Sequence, residues 1–243
     1  MNDIRQRYAT PCAAGVVGVI ALVVAACTSP GTTAPPSTFG VGSPWLGTFT
    51  AVGLPAPVNS LTALDCADST RCWAVGSTVG GAGVPNGAAV IATADGGGRW
   101  AAEVIPPTVG YLSGISCSSV RSCTAVGQAG QASGGQAAVI TTTDGGGRWV
   151  PVPVPTGILD LTAVSCQADG RCVAVGTAAT GTVSLVSTSS GTAWVQAGTL
   201  PATMSGPSSV SCAGNLHCWV TGHTSVALDH VAGAGVWRPV TVS

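Results

Sequence analysis

The sequence predicts an all-β fold, a β-propeller of about four four-stranded blades, and three observations carry that reading. A unit of about 50 residues recurs four times in the chain. Within each unit, short alternating or β-branched runs are separated by Gly-rich turns, the mark of short antiparallel strands. No segment holds a helical period. A four-stranded blade on its own would leave both faces of its sheet wet. Packing blades around an axis buries those faces and leaves only short edges.

Composition sets the frame. The chain has 243 residues, enough for one or two domains, and 46% of them are hydrophobic. Only 7% are charged, there is no lysine, and the formal net charge is −1. Such a chain is not a solvated, charge-rich disordered protein. It carries no basic stripe to neutralise phosphates, so nucleic acid is not an expected partner. The 35 glycines suit many tight turns, and seven of the eleven aromatic residues are Trp.

The N-terminus has the layout of an export signal. Arg5 and Arg7 give a short positive region, residues 13–24 form an uncharged apolar run, and Val24-Ala25-Ala26-Cys27 follows. An apolar run of this length is too short to span a bilayer as a helix. The small residues before Cys27 resemble a bacterial lipobox. That resemblance implies that residues 1–27 are a lipoprotein signal peptide and that the Cys27 thiol receives a diacylglyceryl group. The expected address is the extracytoplasmic face of the cell membrane, held by a lipid anchor of two or more acyl chains. Residues 28–44 are rich in Thr, Ser, Pro and Gly without a charge, and read as a tether. Fully extended, it would hold a domain up to roughly 50 Å from the membrane.

Residues 45–243 form the expected repeat domain. Its clearest mark is a Cys-x5-Cys pair in each repeat: Cys66 and Cys72, Cys117 and Cys123, Cys166 and Cys172, Cys212 and Cys218. The first cysteines are separated by 51, 49 and 46 positions. Trp73-Ala74-Val75-Gly76, Thr124-Ala125-Val126-Gly127, Val173-Ala174-Val175-Gly176 and Trp219-Val220-Thr221-Gly222 follow the pairs. A further strand-like run then leads to Trp100, Trp149, Trp194 or Trp237. The chain ends just after the last strand of the fourth repeat, so four blades are expected to complete the count. An open four-blade arc that dimerises is the alternative, and a homodimer is therefore among the expected partners. Trp45 to Val52 reads as one more fourth strand without a blade of its own.

Two turns are nearly identical: Thr93-Ala94-Asp95-Gly96-Gly97-Gly98-Arg99-Trp100 and Thr142-Thr143-Asp144-Gly145-Gly146-Gly147-Arg148-Trp149. The Asp carboxylate can accept hydrogen bonds from backbone amides further along the turn. The glycines permit positive φ, and the Trp is the apolar plug. In the third copy Ser189 stands where the Asp would be. These residues resemble the Asp-box (BNR) repeats of sialidase-like propellers and of the photosystem II assembly-factor family. The resemblance covers roughly residues 45–243. It implies the fold, with Thr93, Asp95, Gly97, Trp100, Thr142, Asp144, Gly146 and Trp149 as structural residues away from any ligand site. One carboxylate per turn is a poor match to the several oxygen ligands that calcium needs.

Removal of Cys12 with the signal and assignment of Cys27 to lipid leaves eight cysteines in four identical short pairs. An exported protein lives where disulfides persist. Disulfides Cys66–Cys72, Cys117–Cys123, Cys166–Cys172 and Cys212–Cys218 are expected, each clamping the hairpin of the first two strands. The spacing is not that of a zinc site, and no metal or cofactor is expected.

The sialidase resemblance raises glycoside hydrolysis. That family uses three arginines, a Tyr/Glu nucleophile pair and an acid/base Asp. Glu103 is the only glutamate of the chain, and Tyr111 the only tyrosine beyond the signal. Arg71, Arg121 and Arg171, like Arg99 and Arg148, recur with the repeat, which blade structure explains more simply than one unique site. No pair of positioned carboxylates assembles, and no catalytic residue is assigned. His217, His223 and His230 lack metal-ligand spacing.

The stapled turns and the Asp turns are expected on one face of the domain. The other face would carry the loops 76–87, 106–113, 127–135, 154–161 and 200–209, which differ between repeats. Loops on a rigid scaffold are where binding usually resides, so Tyr111, Asp160 and Met204 are the candidate binding face. The functional expectation is a lipid-anchored binding or scaffold protein whose partner is another envelope protein. The alternative is a glycan, bound by a carbohydrate-binding or inactive sialidase-like hydrolase.

Overall fold

A computed structural model describes residues 51–80, 87–130, 135–187, 191–214, 217–223, 227–230 and 237–240. The chain divides into two units, Met1–Phe49 and Thr50–Ser243. The signal segment, Cys27 and the tether lie outside the described residues, as do 81–86 and 131–134 of the expected loops. Of Trp45 to Val52, only Ala51 and Val52 are described, and neither is in a strand.

The second unit is built from sixteen strands in four antiparallel sheets, each in chain order. The first sheet holds β1 (Val58–Cys66), β2 (Cys72–Thr78), β3 (Gly87–Thr93) and β4 (Ala101–Ala102). The second holds β5 (Val109–Cys117), β6 (Cys123–Ala129), β7 (Ala137–Thr142) and β8 (Val150–Val152). The third holds β9 (Ile158–Cys166), β10 (Cys172–Ala178), β11 (Gly181–Ser187) and β12 (Trp194–Thr199). The fourth holds β13 (Pro207–Ala213), β14 (His217–Gly222), β15 (Ala227–His230) and β16 (Trp237–Val240). These are four propeller blades, one per sequence repeat.

All four disulfides form, each between directly opposed residues at the end of the first hairpin of its blade, with Cα–Cα distances of 3.9 to 4.0 Å. The repeated glycine four residues after the second Cys has a local cause. The first strand of each of the first three blades is bulged against it. A Cβ on Gly76, Gly127 or Gly176 would collide with the carbonyl oxygen of Ser60, Tyr111 or Asp160. Only glycine tolerates so close a backbone approach.

The core lies between blades. Trp73, Val75 and Val90 of the first blade pack on Leu112, Ile115, Ile140 and Trp149 of the second. Val126 and Val139 of the second meet Leu161, Val164, Leu185 and Trp194 of the third. Val173 and Val175 of the third meet Val210, Val220 and Trp237 of the fourth. Hydrogen bonds repeat across these interfaces. Cys117 N donates to Asp65 Oδ2 (2.6 Å), Cys166 N to Ser116 Oγ (3.0 Å) and Cys212 N to Ser165 Oγ (3.1 Å). Thr62 Oγ1 donates to Leu112 O and Thr162 Oγ1 to Pro207 O.

Among the described residues the first and fourth blades share no such interface. Among the described residues the four blades therefore form an open arc, with Leu61 and Leu64 at one end and Trp219 at the other exposed. Leu61 and Leu64 of β1 are 39% and 56% exposed, whereas their equivalents Leu112 and Ile115 are 0% and 6%. The repeat count alone did not decide closure, because it holds no information about the rotation from blade to blade.

Candidate functional site

The two turn types share one end of the domain, as the alternation of strands requires. Gly96 N donates to Thr70 O and Gly145 N to Arg121 O, each at 2.9 Å, which ties each Asp turn to the stapled turn of its own blade. Within the turns Thr93 Oγ1 donates to Asp95 Oδ1 (2.8 Å) and accepts from Gly97 N (3.0 Å), while Arg99 N donates to Asp95 Oδ1 (3.0 Å). Thr142, Asp144, Gly146 and Arg148 repeat this pattern. The backbone N–H of Arg99 and the hydroxyl of Thr93 hold the Asp95 carboxyl below its ordinary range, and Arg148 N–H and Thr142 do so for Asp144. Gly97 and Gly146 have φ of 95° and 97°, a region open to glycine.

At this end a groove of about 770 Å³ lies between the first two blades, lined by Arg71, Arg99, Arg121, Trp73, Trp100 and Glu103 among others. Glu103 follows β4 and is a clamp between blades. Its carboxylate accepts the indole N–H of Trp73 at 3.3 Å and that of Trp149 of the next blade. Burial pushes the Glu103 carboxyl above its ordinary range, partly offset by the two indole bonds. Asp95 and Asp144 also line the groove, with carboxylates already engaged by their own turns. The three guanidiniums are different. Arg71, Arg99 and Arg121 are exposed, and among the described residues the one close ion pair is Arg171–Asp169; Arg71 and Arg99 lie near enough to Asp68 and Asp95 to lower those carboxyls without pairing closely with them.

The opposite end carries the predicted binding face. Tyr111 and Asp160 occupy matching positions of β5 and β9, six residues before the first Cys of each pair, and the structure brings them together. Burial, and after it the neighbouring Asp160 carboxylate, push the Tyr111 hydroxyl up to about 12. Asp160 Oδ1 is shut off from solvent and accepts no well-aligned hydrogen bond. Met204 is a correction. It is 2% exposed and packs with Leu200, Val210 and Trp237, so it is a core plug beneath the loop and not a contact on the surface. An unbranched apolar side chain in a loop read as surface, but the adjoining Pro201 turn folds it inward, with Met204 N bonded to Pro201 O.

Glu103 and Tyr111 are not joined in one site, since Glu103 sits with Trp73 at the stapled end and Tyr111 with Asp160 at the loop end. His217 opens β14 and His223 lies just beyond its other end. The side chain of His230 is outside the described residues. Among the described residues no three His, Cys, Asp or Glu side chains converge on a common point. The groove arginines are what sequence reading set aside. The usable signal was that the first two repeats place an Arg both before the second Cys and before the Trp, whereas the third has Ala193 in the latter place.

Fold and site together define a disulfide-stapled β-propeller with a groove at the stapled end. No protein-family model matches the chain, and no curated protein matches its sequence. Solved propellers match its fold. One is YCF48 bound to a D1 peptide, at 16% identity and a TM-score of 0.53, covering 77% of this chain and 56% of that one. YCF48 from Cyanidioschyzon merolae matches at 18% identity and a TM-score of 0.55, covering 79% and 59%. A GH74 xyloglucanase from Xanthomonas campestris matches at 15% identity and a TM-score of 0.55, covering 74% and 30%. The chain thus spans less than two thirds of each of these proteins, and the likeness is one of fold.

Proposed function

We propose that this chain is a lipid-anchored extracytoplasmic binding protein that holds an envelope protein through carboxylate groups of the partner, received in the groove between the first two blades. One observation carries the reading. The groove's carboxylates are committed to turns and indoles, while Arg71, Arg99 and Arg121 line it exposed and, among the described residues, in no close ion pair. Guanidinium forks suit carboxylate geometry. The half-buried Glu103 is engaged by two indoles, and the nearby Asp144 carboxylate, whose charge helps to raise Glu103, is held by its own turn. That a propeller of similar fold has been solved with a peptide bound supports the mode of use. The lipobox-like Val24-Ala25-Ala26-Cys27 supports the anchor.

The test is in-envelope crosslinking of the anchored full chain, followed by capture and comparison with the Arg71→Gln/Arg121→Gln double variant. One recurrent protein, recovered at least about tenfold less with the double variant, is the expected result, since charged hydrogen bonds contribute about 1.5–3 kcal/mol each. A recurrent protein insensitive to both substitutions would remove the groove from the reading. Retention of an envelope polysaccharide instead would transfer it to the glycan-binding alternative.

A further inference from the structure

The two ends of the arc are the two halves of one interface. We propose that two copies of this chain close head to tail into a single eight-bladed ring, the free face of the fourth blade of each docking on the free face of the first blade of the other. The inference is independent of what the groove binds.

Each interface within the chain follows one rule. A blade offers its next neighbour the residue after the second Cys. Trp73, Thr124 and Val173 fill that place in the first three blades and are all buried. In the fourth blade Trp219 fills it and is 45% exposed. Two residues further on, Val75, Val126 and Val175 are buried, and Thr221 of the fourth blade is exposed. The neighbour in turn offers the residues five and two places before its first Cys. These are Leu112 and Ile115, Leu161 and Val164, Pro207 and Val210, all buried. In the first blade they are Leu61 and Leu64, both exposed.

The polar part of the rule is also kept where no neighbour is present. The residue before the first Cys accepts the next blade's Cys N–H, as Asp65, Ser116 and Ser165 do. Ser211 holds that position in the fourth blade and faces solvent. Its counterpart donor, Cys66 N, bonds to its own Asp65 Oδ1 at 2.9 Å. The hydroxyl four places before the first Cys donates to the next blade, as Thr62 and Thr162 do. Ser208 holds that position in the fourth blade and keeps the bond to its own hairpin, to Thr221 O at 3.2 Å, that Thr62 and Thr162 also make to Val75 O and Val175 O. The tryptophan at or just before the start of the last strand plugs against the preceding blade in Trp149 and Trp237, both buried, whereas Trp100 of the first blade is only half-buried.

Each free face therefore carries what the other lacks, and neither is complementary to itself. A second copy supplies the missing half twice. A head-to-tail contact either closes into a ring or propagates into a filament. Two copies give eight blades, the upper end of the usual propeller range, while three would exceed it.

The test uses the full chain, solubilised in detergent, with the photo-reactive residue benzoylphenylalanine at position 219. Native mass spectrometry is expected to give a species of twice the chain mass. Irradiation is expected to join position 219 of one copy to residues 58–66 of the other. Leu64→Arg, a change at an exposed site of the single chain, is expected to reduce the dimer at least about tenfold by burying an unpaired charge. Isotope-labelled Leu64→Arg chain carrying the photo-residue, mixed with Trp219→Arg chain, is expected to crosslink only onto the latter, which also shows that both variants fold. Monomers alone, crosslinks from 219 to 219, crosslinks within one chain, or filaments would each overturn the ring.

Discussion

Glu103 is the point at which one substitution separates an interface clamp from a surface carboxylate. In Glu103→Ala the indole N–H groups of Trp73 and Trp149 lose their acceptor. The two rings are 2% and 4% exposed, so water has little access to either donor. An unsatisfied buried donor costs about 1–3 kcal/mol. Relief from burying the carboxylate offsets part of the two losses, leaving a net destabilisation of about 2–4 kcal/mol. Glu103→Gln offers one acceptor oxygen for two donors and should lose about half as much. Urea unfolding of the oxidised protein, followed by tryptophan fluorescence, measures both. The pH dependence gives a second readout. Burial raises the carboxyl in the fold, so the folded state keeps a proton that the unfolded state has released. Stability then falls as pH rises from the ordinary carboxylate value through the raised one. Glu103→Gln abolishes that slope. A Glu103→Ala protein within about 0.5 kcal/mol of the parent, the range of neutral surface changes, would refute the clamp.

Three further outcomes are expected. Thiol labelling of the folded domain finds none of the eight repeat cysteines reactive, and reducing each short loop costs about 2–2.5 kcal/mol on the chain-entropy account; eight reactive thiols would overturn the staples. Gly127→Ala meets backbone atoms of Tyr111 and Leu112 and is expected to cost more than about 3 kcal/mol or to abolish folding, whereas Gly135→Ala, with open space but φ of 63°, should cost about 1 kcal/mol in the same unfolding assay. The lowered carboxyls of Asp95 and Asp144 contribute stability above the ordinary Asp value that is lost as pH falls through the lowered one, so Asp95→Asn/Asp144→Asn should flatten the acid limb of stability against pH.

What the sequence by itself determined is whatever a repeat enforces locally. Four Cys-x5-Cys pairs can clamp only short hairpins, and Thr-x-Asp-x-Gly turns can close only on their own backbone. The strand count, the staples, the turn geometry and the shared end of the two turn types were therefore legible, because each depends on residues within one blade. The fate of Met204 was not, since its burial follows from a turn at Pro201 that carries it under the fourth blade. Nor was the double engagement of Glu103, whose partners Trp73 and Trp149 lie 30 and 46 residues away on two blades. The groove arginines looked periodic in one dimension and become a cluster only where two blades meet. Closure of the ring was the largest open choice. It depends on how far each blade rotates against the next, a quantity summed over many small packing contacts, and only the tertiary structure shows that three such rotations leave Leu64 and Trp219 uncovered.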